Sequence, residues 1–126
     1  MKWVVDTSVL IDHLRGNTLA KNLLLRGFRE RHELWSVTVV RTEVLAGMRP
    51  KEETATRALL AQIQWQDVNT DVADRAGRLA QRYLRSHRGV DTVDYLIASA
   101  TELLGAELKT MNVKHFPMLP GLAPAY

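Results

Sequence analysis

The sequence predicts an α/β protein in which a parallel sheet is covered by helices on both faces. Three observations predict it. Apolar runs of strand length recur near 2–6, 34–39, 65–68 and 107–110; amphipathic helical patterns separate them; and 126 residues suit one domain, spanning 1–126, with a single buried core. In such sheets ligands collect at the carboxyl ends of the strands. Functional residues are therefore expected at those ends.

The opening run Trp3-Val4-Val5 closes on Asp6 and hands over to a helical pattern at Val9, Leu10 and Leu14. Thr7 or Ser8 is the expected cap of that helix and Gly16-Asn17 its end. Thr18 then caps a second helix carrying Leu19, Leu23, Leu24 and Phe28, with Lys21, Arg26, Arg29 and Arg31 on its far side. A second strand, about 34–39, leads into a helix of about 40–47 that holds Glu43 in or near its first turn. Pro50 suits the first position of the next helix, about 50–63, whose Leu59, Leu60 and Ile63 share a face.

A weak strand at 65–68 precedes the longest helix, about 71–87, capped by Thr70 or Asp71. Its apolar face is Val72, Ala76, Leu79, Ala80, Tyr83 and Leu84, while Arg75, Arg78, Arg82 and Arg85 line one side. That stripe reads as a solvated flank or as an RNA-contacting surface. A helix of about 93–104, stopped by Gly105, leads to the last main strand at 107–110. Pro117, Pro120 and Pro124 leave the tail room for a brief edge strand only.

Composition narrows the function classes. The hydrophobic fraction of 46% and charged fraction of 25% are those of an ordinary soluble protein. No apolar run approaches the ~18 residues that span a bilayer. Met1-Lys2-Trp3 does not begin a signal-peptide pattern, so a cytoplasmic protein without membrane contact is expected. The absence of cysteine rules out a disulfide framework and a thiolate zinc site. A net charge of +3 is compatible with a polyanionic partner without demonstrating one.

Polar residues from separate elements fall at the expected functional edge. Asp6 follows the first strand, Glu43 the second, Asp94 opens the helix before the last main strand, and Asn112 lies just beyond that strand. Asp91, three residues before Asp94, faces the same way. Taken singly, Asp6 and Asp91 read equally as helix caps, and Glu43 and Asp94 as acids near helix N-termini. Taken together, they would repel one another when ionised. A hard divalent cation, Mg²⁺ or Mn²⁺, resolves that repulsion through oxygen ligands. One such ion or two would serve an in-line phosphodiester displacement. Asp12 is assigned to a solvated helix face.

The stretches Val4-Val5-Asp6-Thr7-Ser8-Val9-Leu10-Ile11, Thr42-Glu43-Val44-Leu45-Ala46-Gly47, Asp94-Tyr95-Leu96-Ile97-Ala98-Ser99-Ala100 and Leu108-Lys109-Thr110-Met111-Asn112-Val113-Lys114-His115-Phe116 resemble, in order and separation, the motifs of the PIN-domain ribonucleases. They look most like the VapC toxins of type II toxin–antitoxin modules. The resemblance covers essentially the whole chain. It implies a three-layer α/β/α sandwich, Mg²⁺- or Mn²⁺-dependent endonucleolytic cleavage of RNA, a homodimer, and inhibition by a cognate VapB-like antitoxin. Asp6, Glu43 and Asp94 match the family's acidic positions, and Asn112 the fourth, where many members carry Asp. An Asn orients a ligand through its amide oxygen but adds no charge; Asp91 is the candidate to supply it. Thr7, Ser8 and Thr110 resemble the hydroxyl residues that support the acids. The His115-Phe116 pair looks structural, with the Phe beneath the loop.

The same residues bear on other function classes. A haloacid-dehalogenase-type phosphohydrolase requires an acid where Ser8 stands, and a receiver domain requires an acidic pair and a late Lys that are not evident. The non-enzymatic alternative is a catalytically weak PIN-fold binding protein whose acids attract a basic segment of the antitoxin.

Overall fold

A computed structural model describes residues 1–126. The chain runs β1 (Lys2–Val5), α1 (Thr7–Leu14), α2 (Thr18–Arg29), β2 (Glu33–Val37), α3 (Thr38–Ala46), a 3₁₀ turn (Pro50–Glu52), α4 (Glu53–Ala61), β3 (Gln64–Gln66), α5 (Thr70–Tyr83), α6 (Thr92–Leu104), β4 (Glu107–Lys109) and a second 3₁₀ turn (Val113–His115). The strands form one parallel sheet in the order β3-β2-β1-β4, flanked by helices. This is the α/β/α arrangement the sequence predicts.

β1 is central, and Trp3, Val4 and Val5 are buried on both of its faces, as a parallel strand covered twice requires. Its register sets Trp3 beside Leu34 and Val4 beside Leu108. Ser36 is buried in β2 without cost because its hydroxyl donates to Val5 O at 2.7 Å. α2 lies close on the sheet at Gly27, where an added Cβ would stand 2.9 Å from the Trp3 ring and 3.0 Å from Leu34.

Several boundaries depart from the sequence reading, each for a local reason. Asp6, not Thr7 or Ser8, caps α1; Asn17 caps α2 by accepting from Ala20 N–H at 3.0 Å; and Asn69 caps α5 by accepting from Val72 N–H at 3.0 Å. In each case the carboxylate or amide one residue earlier reaches the free N–H groups. The span read as one helix from Pro50 splits, because Pro50 starts a 3₁₀ turn closed by Glu52 before α4 begins. α3 begins at Thr38, despite the β-branched Thr38-Val39-Val40, which puts Glu43 in its second turn. α5 ends at Tyr83.

Candidate active site

The sheet grows in two directions from β1: outward through β2 and β3, then back across to β4. The carboxyl end of β1 is therefore a topological switch point, the position at which open α/β sheets bind ligands. Asp6 stands there, with its N–H held by Lys109 O at 3.0 Å.

The Asp6 carboxylate is only 5% exposed and is met by donors from both ends of the chain. Oδ1 accepts from Thr7 N–H at 2.8 Å, and Oδ2 accepts from Ser8 Oγ at 3.1 Å and Thr110 Oγ1 at 2.6 Å. The fully buried Thr110 hydroxyl also accepts from Asn112 N–H at 2.9 Å, so one group ties β1 to the loop after β4. Ser8 Oγ accepts from Met111 N–H at 3.2 Å and strengthens the same tie. Thr7 turns the other way and donates to Glu43 Oε1 at 2.6 Å. Adjacent hydroxyls on the first turn of α1 thus position acids from β1 and α3.

Asp94 arrives from α6 by a different device. Asp91 and Asp94 form a reciprocal capping box: Asp94 N–H donates to Asp91 Oδ1, and Asp91 N–H to Asp94 Oδ2, each at 3.1 Å. Asp94 is 9% exposed, and His115 Nδ1 lies 3.5 Å from its Oδ2. Burial first, then the charges of Asp91 and Asp6, push the Asp94 carboxyl up to about 6, against the pull of the Asp91 N–H and of His115.

These elements enclose one cleft of about 440 Å³, lined by Asp6, Thr7, Ser8, Asp12, Glu43, Asp91, Asp94, Asn112 and His115 among others. Its donor set is carboxylate and amide oxygen with one imidazole, chemistry suited to a hard divalent cation. The acids stand around the cleft and no three acidic or imidazole side chains converge on one point. Glu43 Oε1 and Asp94 Oδ2 are engaged as described, while the second oxygen of each accepts no hydrogen bond within the chain.

The sequence-derived residues Asp6, Thr7, Ser8, Glu43, Asp91, Asp94 and Asn112 therefore line a single cleft, with Thr110 beneath it. Asp91 serves as the N-cap of α6 and Asn112 meets the cleft from the β4 loop. Two cleft residues were missed. Asp12, assigned to a solvated face, lines the cleft, and its carboxylate accepts from the Tyr126 hydroxyl. The signal was present: Asp12 lies four residues after Ser8 and so shares its helix face. His115, read as structural, lines the cleft, while Phe116 is buried beneath the loop as expected. Arg75 is a correction to the arginine stripe, because its guanidinium is taken up by Glu102 at 2.5 Å. Arg78, Arg82 and Arg85 remain exposed.

The family model described as PIN domain matches residues 3–116. The chain is 45% identical to Ribonuclease VapC19 of Mycobacterium tuberculosis over 123 residues, covering 98% of each. It is 38% identical to Ribonuclease VapC10 of the same organism over 124 residues, covering 98% of this chain and 92% of that one. A solved toxin–antitoxin complex from Klebsiella pneumoniae contains a chain that superposes with a TM-score of 0.79 at 26% identity, covering 98% of this chain and 97% of that one. With its acids at the carboxyl edge of a β3-β2-β1-β4 parallel sheet, this chain belongs to the PIN-domain family, among the VapC ribonucleases.

Proposed function

We propose that the chain is the ribonuclease toxin of a toxin–antitoxin module and hydrolyses phosphodiester bonds in single-stranded or loop RNA with Mg²⁺ or Mn²⁺. The observation that carries this reading is the cleft at the carboxyl end of β1, where Asp6, Glu43, Asp91 and the buried Asp94 stand around one space. Such a group calls for a compensating positive charge. Asp6, Glu43 and Asp94 would hold the cation, with Asn112 and Asp91 at the edge of its shell. Bound there, a divalent ion supplies Lewis-acid activation of water and charge for the scissile phosphate.

The chain's own residues do the positioning. Thr110 and Ser8 hold the Asp6 carboxylate in one orientation, Thr7 holds Glu43, and the capping box fixes Asp94 at the start of α6. Asn112 adds a neutral amide where a fourth acid would add charge. Cleavage of RNA by the purified chain, with Mg²⁺ or Mn²⁺ and after chelation, tests the reading. Asp94→Asn is expected to lower cleavage by roughly 10³-fold, the scale of losing charge stabilisation worth several kcal/mol, with folding intact. Full activity in that variant, or in excess chelator, would overturn it.

The antitoxin is the proposed protein partner, blocking the cleft with a basic side chain among the acids. We further propose that the chain forms homodimers. Leu25 and Phe28 of α2 stand exposed beside Ala55, Ala58 and Leu59 of α4, around an apolar hollow of about 430 Å³. A dimer in sedimentation of the isolated chain, lost in Phe28→Glu, assigns that face to a second copy. A monomer would overturn the dimer.

A further inference from the structure

One segment holds more than the chain's whole excess of positive charge. Between Asp74 and Asp91 there is no acidic residue, while Arg75, Arg78, Arg82, Arg85, His87 and Arg88 all fall there. Replacing Arg78, Arg82, Arg85 and Arg88 by neutral residues would take the formal charge from +3 to −1. Arg75 is committed to Glu102, but the other arginines of the segment are exposed and make no ion pair. Two arginines elsewhere are paired, Arg15 with Glu52 and Arg57 with Glu53.

Position matters as much as charge. Arg78, Arg82 and Arg85 follow helical steps of four and three, so they share a face of α5 that continues through its last turn. His87 N–H bonds back to Tyr83 O at 2.9 Å, which extends the helical path past Tyr83. The turn is fixed further by Ser86, whose hydroxyl lies 2.8 Å from His87 Nδ1, and by the edge-to-face contact of Tyr83 with His87. Val90, 4% exposed, anchors the far end in the core. Arg88 then stands three residues before Asp91, so its Cα lies within about 11 Å of the Asp91 Cα by chain reach alone. An ordered basic run therefore ends at the lip of the acidic cleft.

Resting on the ribonuclease reading, we propose that residues 78–90 are the track on which the RNA strand lies beside the cleft, with Arg82, Arg85 and Arg88 on its phosphates. A cleft lined by acids repels a polyanion, and a cation within it serves only the scissile phosphate. Flanking phosphates need separate countercharge, and this segment supplies it in exposed, unpaired arginines that run up to Asp91 at the cleft. His87, exposed and interleaved with the arginines, adds a flat surface of the kind that single-stranded bases stack on.

The test separates binding from cleavage. RNA binding is measured on the Asp94→Asn protein, with a single-stranded RNA of about 20 nucleotides over a salt series, with and without Arg82→Ala, Arg85→Ala and Arg88→Ala combined. The triple substitution is expected to weaken binding about 10-fold or more. It should also lower the slope of log K against log salt by about 2, near 0.7 for each lost contact on a single strand. The matching Arg→Lys triple should keep the slope, and Arg57→Ala on α4 should change neither quantity. In the otherwise native protein the Ala triple should raise KM for long RNA with kcat nearly unchanged. Unchanged affinity and slope in the Ala triple would overturn the track. So would intact RNA binding with lost antitoxin binding, which would assign the segment to a protein contact. If native protein with Mg²⁺ or Mn²⁺ cleaves no RNA while the arginines still govern binding, the ribonuclease reading fails and the track stands.

Discussion

At the end of β1, Asp6 receives a backbone N–H and two hydroxyls, one of them donated by a residue 104 positions away. Across the same cleft Asp94 receives one backbone N–H and faces other carboxylates, and it is pushed up to about 6. The β1–β4 side of the site is thus satisfied by the fold itself, whereas the α6 side holds an under-compensated acid. The difference separates two jobs. One acid fixes where the site is, and the other makes it responsive to a positive charge. Disturbing the first side should therefore misplace the chemistry, and disturbing the second should alter its dependence on pH and cation.

On the fold-satisfied side the effect is expected at Thr110. Thr110→Val keeps the shape but removes the donor to Asp6 Oδ2 and the acceptor for Asn112 N–H, both at a fully buried position. Loss of about 1–3 kcal/mol of stability follows from leaving buried polar groups unpaired. RNA cleavage should fall about 10–100-fold, the usual cost of removing a group that orients a ligand. Thr110→Ser restores the hydroxyl and should restore most of the activity. Equal activity in the Val and Ser variants, measured as kcat/KM on one RNA, would refute the positioning role.

A smaller effect, in stability, sharpens the Asp94 side. The native carboxyl titrates near 6 against an ordinary value of 3.8, so the folded chain binds this proton more tightly than the unfolded chain does. Without added cation, this group's contribution to stability is fully present below about 4 and is lost as pH rises through about 6, on the order of 2 kcal/mol in all. Thermal unfolding in chelator at pH 4.5 and 7.5 should show that loss in native protein relative to Asp94→Asn, which lacks the titrating group. Mg²⁺ or Mn²⁺ should recover stability at the higher pH in the native protein alone. A cation response of equal size in Asp94→Asn would break the contrast between the two sides.

Much of this architecture was legible because it rests on period and punctuation. The β1 run, the Asp6 position, the stop at Gly105 in left-handed geometry and the capping pair at Asp91 and Asp94 all follow from local sequence. What was not legible depended on contacts between distant segments. Arg75 belongs by spacing to the arginine stripe, but Glu102, on the adjacent helix α6, claims it. Glu43 moved one turn deeper because α3 starts directly after β2, a choice made by packing against local strand preference. His115 reaches Asp94 only once the loop after β4 has folded over α6's first turn. Asp12 could have been placed by its spacing from Ser8, yet its partner Tyr126 could not.

That last pair gives the smallest and most discriminating prediction. Thr110 and Tyr126 both donate a hydroxyl to an acid of the cleft, but Thr110 is fully buried whereas Asp12 and Tyr126 are only half-buried. Water can replace the Tyr126 hydroxyl, so Tyr126→Phe should cost only about 0.5–1.5 kcal/mol and leave kcat/KM within about 3-fold. Burial first, then the Asp12 contact, raise the Tyr126 phenol above its ordinary value of 10.0, so the native state favours the protonated phenol. Its contribution to stability is therefore kept up to about pH 10 and lost above it, a loss that Tyr126→Phe should not share. If Tyr126→Phe instead lowers cleavage as far as Thr110→Val does, Asp12 is a working member of the site, and the division between a fold-satisfied side and a charge-responsive side no longer describes the cleft.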